Sequence, residues 1–131
     1  MSSPLQRLAR STPVHVAFAA LAMGGWALFA NRGHGLQAAV GPALAQGAMS
    51  GAITLGLKRA LEAMSVRFPG AAAWLAPPAI TAAVILAVLV AVHRLIGTPA
   101  IAATIAVPWS VSTVYAILYS AALARLKARS P

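Results

Sequence analysis

The sequence predicts an all-α, polytopic integral membrane protein, with four transmembrane helices arranged as two parallel-oriented helical hairpins and both termini cytoplasmic. Three observations predict it. Of 131 residues, 60% are hydrophobic and 8% charged, against roughly 25% charged in an ordinary soluble domain. The apolar residues gather into long runs separated by short polar breaks. Eight of the ten basic residues lie in the N-terminal tail, the middle connector and the C-terminal tail, which the positive-inside rule assigns to the cytoplasm. Four spans of about 20 residues use most of the chain, so residues 1–131 read as a single membrane domain.

The first span covers residues 14–30, after a tail holding Arg7 and Arg10 and an entry fixed by Pro13. An N-terminal basic pair followed by an apolar run also resembles a cleavable signal peptide. A cut after Ala30 would put Leu28 where a small residue is needed, however, so a retained helix is expected. Asn31-Arg32-Gly33-His34-Gly35 then supplies the permissive backbone of a tight turn.

The second span covers residues 36–57, and residues 58–70 are expected to form a cytoplasmic connector. Leu57, Leu61 and Met64 recur there at helical spacing among Lys58, Arg59 and Arg67, the pattern of an amphipathic interfacial segment. The third span, residues 74–92, contains the apolar run Val84 to Val90. After the turn His93 to Pro99, the fourth span covers residues 100–123 and is interrupted by Pro108, with Thr104 four residues earlier placed to satisfy the freed carbonyl. Each half reads as a span, an outward turn with His and Arg, and a proline-opened span, a likeness that a parallel internal repeat or chance in an alanine-rich chain would equally produce.

Several function classes fall away on composition. A net charge of +9 would point to nucleic acid in a soluble chain, but these charges sit between apolar runs, where they face an anionic leaflet instead. With no cysteine, thiolate metal sites and thiol nucleophiles are excluded. No paired carboxylate or histidine-orienting Asp exists, so no catalytic residue, metal or cofactor is assigned and the chain is not expected to be an enzyme. In size and helix count it resembles the small multidrug-resistance transporters. That family couples protons through a membrane-embedded Glu, whereas the single acid here, Glu62, lies in the connector, so that mechanism is rejected.

The residues that could bind a ligand fall into two groups. Arg32 with His34, and His93 with Arg94, place cations on the outward turns, against the positive-inside tendency. They form a rim for an anionic or amphiphilic molecule. Beneath them Gln46, Ser50 and Thr54 make a polar stripe at four-residue spacing, and Tyr115 lies a turn deeper than the interfacial Tyr119. Gly47 with Gly51, and Ala20 with Gly24, are small-xxx-small pairs for helix packing. Glu62, near Lys58 and Arg59, is a further cytoplasmic candidate, because an intrahelical ion pair contributes only about 0.2–0.5 kcal/mol.

The expected function is therefore a transporter-like or ligand- and lipid-binding bundle. The alternative is a non-catalytic subunit that assembles with or regulates a larger membrane complex. Membrane lipids, a homo-oligomer or a partner membrane protein are the expected partners, with no nucleic acid. An alanine-rich chain in which Arg outnumbers Lys fits a bacterial inner membrane.

Overall fold

Helix starts and stops follow local chemistry along the whole chain, whose computed structural model describes residues 1–130. The N-terminal tail contains a short helix, α1 (Pro4–Ala9), closed by a capping box. Gln6 N donates to Ser3 Oγ and Ser3 N donates to Gln6 Oε1, which satisfies two otherwise unpaired amides. Helix α2 (Thr12–Ala30) carries Pro13 in its first turn, where the missing N–H costs nothing. A single 3₁₀ turn, Arg32–His34, leads to Gly35 at φ +90°, a conformation that a side chain would strain.

Helix α3 (Leu36–Ser65) runs unbroken for 30 residues. At about 1.5 Å per residue it is roughly 45 Å long, more than the ~30 Å of a hydrocarbon core. The expected connector is thus in large part the end of α3, and its Leu57, Leu61 and Met64 face is not free to lie on a membrane surface. Leu57 and Leu61 are buried against Ala116, with Ile53, Met64, Ile85 and Tyr119 packed around them. Nothing in Lys58 to Met64 stops a helix, since these are good helix formers. The chain turns only near Pro69 and Gly70, the latter at φ +56°.

Helices α4 (Ala72–Leu95) and α5 (Ile101–Arg129) complete the fold. Pro77 and Pro78 sit near the start of α4, and Thr81 Oγ1 donates to the carbonyls of both. Pro108 lies inside α5. The Thr104 hydroxyl expected to serve that break donates to Ala100 O instead and accepts from Asn31. Helix makes up 85% of the structure, with no strand among the described residues.

By length and composition, α2, α4 and α5 can cross a membrane. Helix α3 is more polar because Gln46, Ser50, Thr54 and four glycines dilute its apolar residues. It is nevertheless the central helix, packed on α2, α4 and α5. Its contact with α2 is set by small residues: a methyl group on Gly24 would come within 2.9 Å of Ala43 O, and one on Gly47 within 3.0 Å of Ala20 O. Gly51 meets Val16 and Ala20 further along. The small-residue pairs of the two helices are thus spent on each other, within one chain.

The interior holds many polar side chains beside its apolar core, and large apolar side chains lie exposed on the outside. Asn31, Gln46, Ser50, Thr81, His93, Thr98, Thr104, Ser112 and Ser120 are buried, while Phe18, Leu21, Leu44, Val84 and Leu118 are exposed. In water this would forfeit most of the hydrophobic stabilisation. In hydrocarbon it is the favourable arrangement, because polar side chains find partners only inside the protein.

Candidate functional site

Two polar networks tie the helices together where α2 meets α3 and α4 meets α5. The first centres on Asn31, the residue that ends α2 and is fully buried. Its Nδ2 donates to Ala27 O at 2.8 Å and to Thr104 Oγ1 at 2.7 Å, and its Oδ1 accepts from Ala100 N at 3.0 Å. Both amide hydrogens and the carbonyl oxygen are therefore used, and the end of α2 is fastened to the first turn of α5.

The second network centres on His93, near the end of α4 and also fully buried. Ring Nε2 lies 3.0 Å from Gln46 Oε1, and Nδ1 lies 2.7 Å from Thr98 Oγ1. Gln46 Nε2 donates to Ser50 Oγ at 2.9 Å, so its oxygen is the atom left facing the ring. Nε2 then carries the hydrogen, and a neutral ring accepts from Thr98 at Nδ1. Gly97, at φ +70°, turns the chain back so that Thr98 can reach. The result is a continuous hydrogen-bonded line, Thr98 to His93 to Gln46 to Ser50.

Ser50 also borders a groove of about 520 Å³ between α2, α3 and α5. Its apolar wall includes Phe18, Met23, Ile53, Leu57 and Val111. Thr54, Ser112 and Tyr115 contribute hydroxyl-bearing side chains. Thr54 and Ser112 donate to carbonyls of their own helices, Ser50 O and Trp109 O. Arg10, His15 and Lys58 are the basic residues of the lining. Val16 packs on Gly51, so the start of α2 lies beside the later turns of α3, and the three bases gather at that end. A volume of this size is typical of small-ligand sites.

Lys58 leads to a third cluster. Its Nζ is 3.9 Å from Glu62 Oε1. Tyr119 OH, on α5, donates to the same oxygen at 2.5 Å. The Tyr115 ring stacks on Tyr119 with centroids 5.5 Å apart and planes 8° from parallel. The cluster therefore joins the end of α3 to the groove through both Lys58 and Tyr115.

The Arg/His rim expected from the sequence is not assembled in the same way. The Arg32 guanidinium lies 3.7 Å from the Phe29 ring centroid and donates to Phe29 O at 2.7 Å, a folded-back conformation with a cation–π contact. His34 and Arg94 are exposed, and His93 points inward to Gln46. The four rim residues thus separate into three on the surface and one in the core. A second groove of about 590 Å³ is bordered by Trp74, Arg125 and Lys127; none of the four lines either groove.

Of the residues singled out in the sequence, Gln46 and Ser50 join His93, whereas Ser50, Thr54 and Tyr115 join the groove. Sequence spacing does not single out Asn31, Thr98, His15 or Arg10 as site residues. His15 carries a usable signal, being a polar residue between Val14 and Val16 in an apolar run. Comparison with known proteins matches no family model, no curated relative and no solved structure.

Proposed function

We propose that this chain is a four-span bundle of a bacterial inner membrane, with its termini in the cytoplasm, that binds or carries an anionic amphiphile in the groove between α2, α3 and α5. The observation that carries the reading is the pairing of an apolar wall with Arg10, His15 and Lys58 at one end. An acyl chain fits the wall, and an anionic head group meets the bases through charge-assisted hydrogen bonds. The basic end is also the end rich in topogenic Arg and Lys, where an anionic leaflet would lie. Helix α3 serves as the fourth span despite its polarity, since its polar side chains are turned to protein partners.

This places the ligand at the opposite end from the outward Arg/His rim. A homo-oligomer or a partner subunit would need a face other than Ala20, Gly24, Gly47 and Gly51, because those residues pack on each other. The amphiphile reading is tested with a fluorescent polyene fatty acid and the corresponding alcohol, titrated into detergent-purified protein. Lys58→Gln and Arg10→Gln are expected to weaken binding of the acid and spare the alcohol, while Arg32→Gln with Arg94→Gln leaves both unchanged. Acid binding that is insensitive to Lys58 and Arg10 overturns the reading. Native mass spectrometry of protein released gently from membranes separates a retained two-chain phospholipid from a free single-chain acid.

A further inference from the structure

The single acidic side chain in a chain of net charge +9 is placed next to a base of the groove, and its position is fixed from another helix. Lys58 and Glu62 stand four residues apart in the order Lys then Glu, the less favourable order for a helical ion pair. Helix stability is therefore a weak reason for the pair. Tyr119, 57 residues away in sequence, nevertheless donates to Glu62 Oε1, the oxygen that faces Lys58 Nζ at 3.9 Å. Lys58 lines the groove and so does Tyr115, which stacks on Tyr119.

From this geometry we infer that Glu62, held by Tyr119, is the resident counter-ion of Lys58 and sets the charge selectivity of the groove. The inference rests on the proposed binding of an anionic amphiphile there. With the groove empty, Lys58 is partly neutralised by Glu62. An incoming anionic head group must draw the ammonium from the carboxylate and sit near a second negative charge, whereas an uncharged head group meets neither cost. Strongly anionic ligands capable of several contacts, reaching Arg10 and His15 as well as Lys58, overcome this; weakly held anions do not. The Tyr119 hydroxyl, by hydrogen-bonding the carboxylate oxygen that faces Lys58, keeps Glu62 in place beside the ammonium.

Removing the charge of Glu62 and removing its anchor therefore act in the same direction. Glu62→Gln keeps an oxygen for Tyr119 and removes the charge, and is expected to tighten binding of the fluorescent fatty acid about two- to fivefold, the range of exposed ion pairs. Binding of the alcohol stays unchanged. Tyr119→Phe releases the carboxylate from its place beside Lys58 and is expected to tighten binding of the acid by less than Glu62→Gln does. In a Lys58→Gln background, Glu62→Gln has no further effect. An unchanged affinity in Glu62→Gln, an equal shift for acid and alcohol, or a shift that persists without Lys58 each overturns the inference. If Lys58→Gln weakens acid binding while Glu62→Gln does nothing, only the selectivity role fails; if Lys58→Gln itself has no effect, the groove reading fails with it.

Discussion

His93 and Gln46 lie 47 positions apart in sequence and meet in the interior, ring Nε2 at 3.0 Å from the amide oxygen. The contact joins α4 to α3, the central helix. Loss of either partner leaves a buried polar group without its bond. The expected result of a double-mutant cycle with His93→Leu and Gln46→Leu is a coupling of about 0.6–1.7 kcal/mol, the range for side-chain hydrogen bonds within membranes. Reversible unfolding in mixed detergent measures it. Strict additivity would mean that the pair contributes nothing specific.

The Asn31 side chain makes three hydrogen bonds where the His93 ring makes two. Asn31→Leu would leave Ala100 N and Thr104 Oγ1 short of partners at the junction of α2 and α5. Destabilisation of roughly 1–3 kcal/mol is expected from the stranded groups. Arg32→Gln, one residue further on, should alter stability by less than about 1 kcal/mol, because the residue is exposed and its hydrogen bond and cation–π contact are both with the nearby Phe29. Thermal unfolding of the two variants side by side tests the contrast between a core amide and a surface cation.

The difference between these neighbours shows what the sequence can convey. Four-residue spacing identifies Gln46, Ser50 and Thr54 as one face of a helix, and it is buried or half-buried as a unit. Spacing cannot say which residue from another helix meets that face, so charge alone groups His93 with Arg32 and Arg94. Yet a histidine can be neutral and share both ring nitrogens inside a protein, which arginine cannot do. The end expected for the second span illustrates a separate confusion. Lys58 and Arg59 mark where charge begins, not where a helix ends, and α3 continues to Ser65. The groove is least legible, since its bases come from Arg10, His15 and Lys58 on separate stretches of chain.

Glycine substitutions should split by position. A methyl group on Gly24 meets the backbone oxygen of Ala43 at 2.9 Å, which can move only if α2 and α3 separate. Gly24→Ala is therefore expected to destabilise by about 1–3 kcal/mol, as overpacking does. Gly25 and Gly56 have open space where a Cβ would go. Gly25→Ala and Gly56→Ala should be neutral or stabilising by up to about 1 kcal/mol, through helix propensity. Melting temperatures of the three variants in one detergent check the signs, and a stable Gly24→Ala protein would show that the close approach is not required.

Topology can be read directly, because the chain has no cysteine of its own. Single cysteines at Gly33, in the turn between α2 and α3, and at Ser130, after α5, introduce one thiol each at exposed positions. Gly33 has a negative φ and open space, with no atom within 4 Å of where a Cβ would stand, so the substitution fits without strain. If α3 crosses the membrane as a fourth span, Gly33→Cys reacts with an impermeant maleimide added to intact cells, and Ser130→Cys reacts only after the membrane is opened. A third cysteine at Ala63, an exposed residue late in α3, must then behave like Ser130→Cys. Three spans would instead leave Gly33 and Ala63 on one side, and the two would label together. The comparison of these two sites decides whether the polar central helix spans the bilayer, and with it whether the basic end of the groove opens toward the cytoplasmic leaflet.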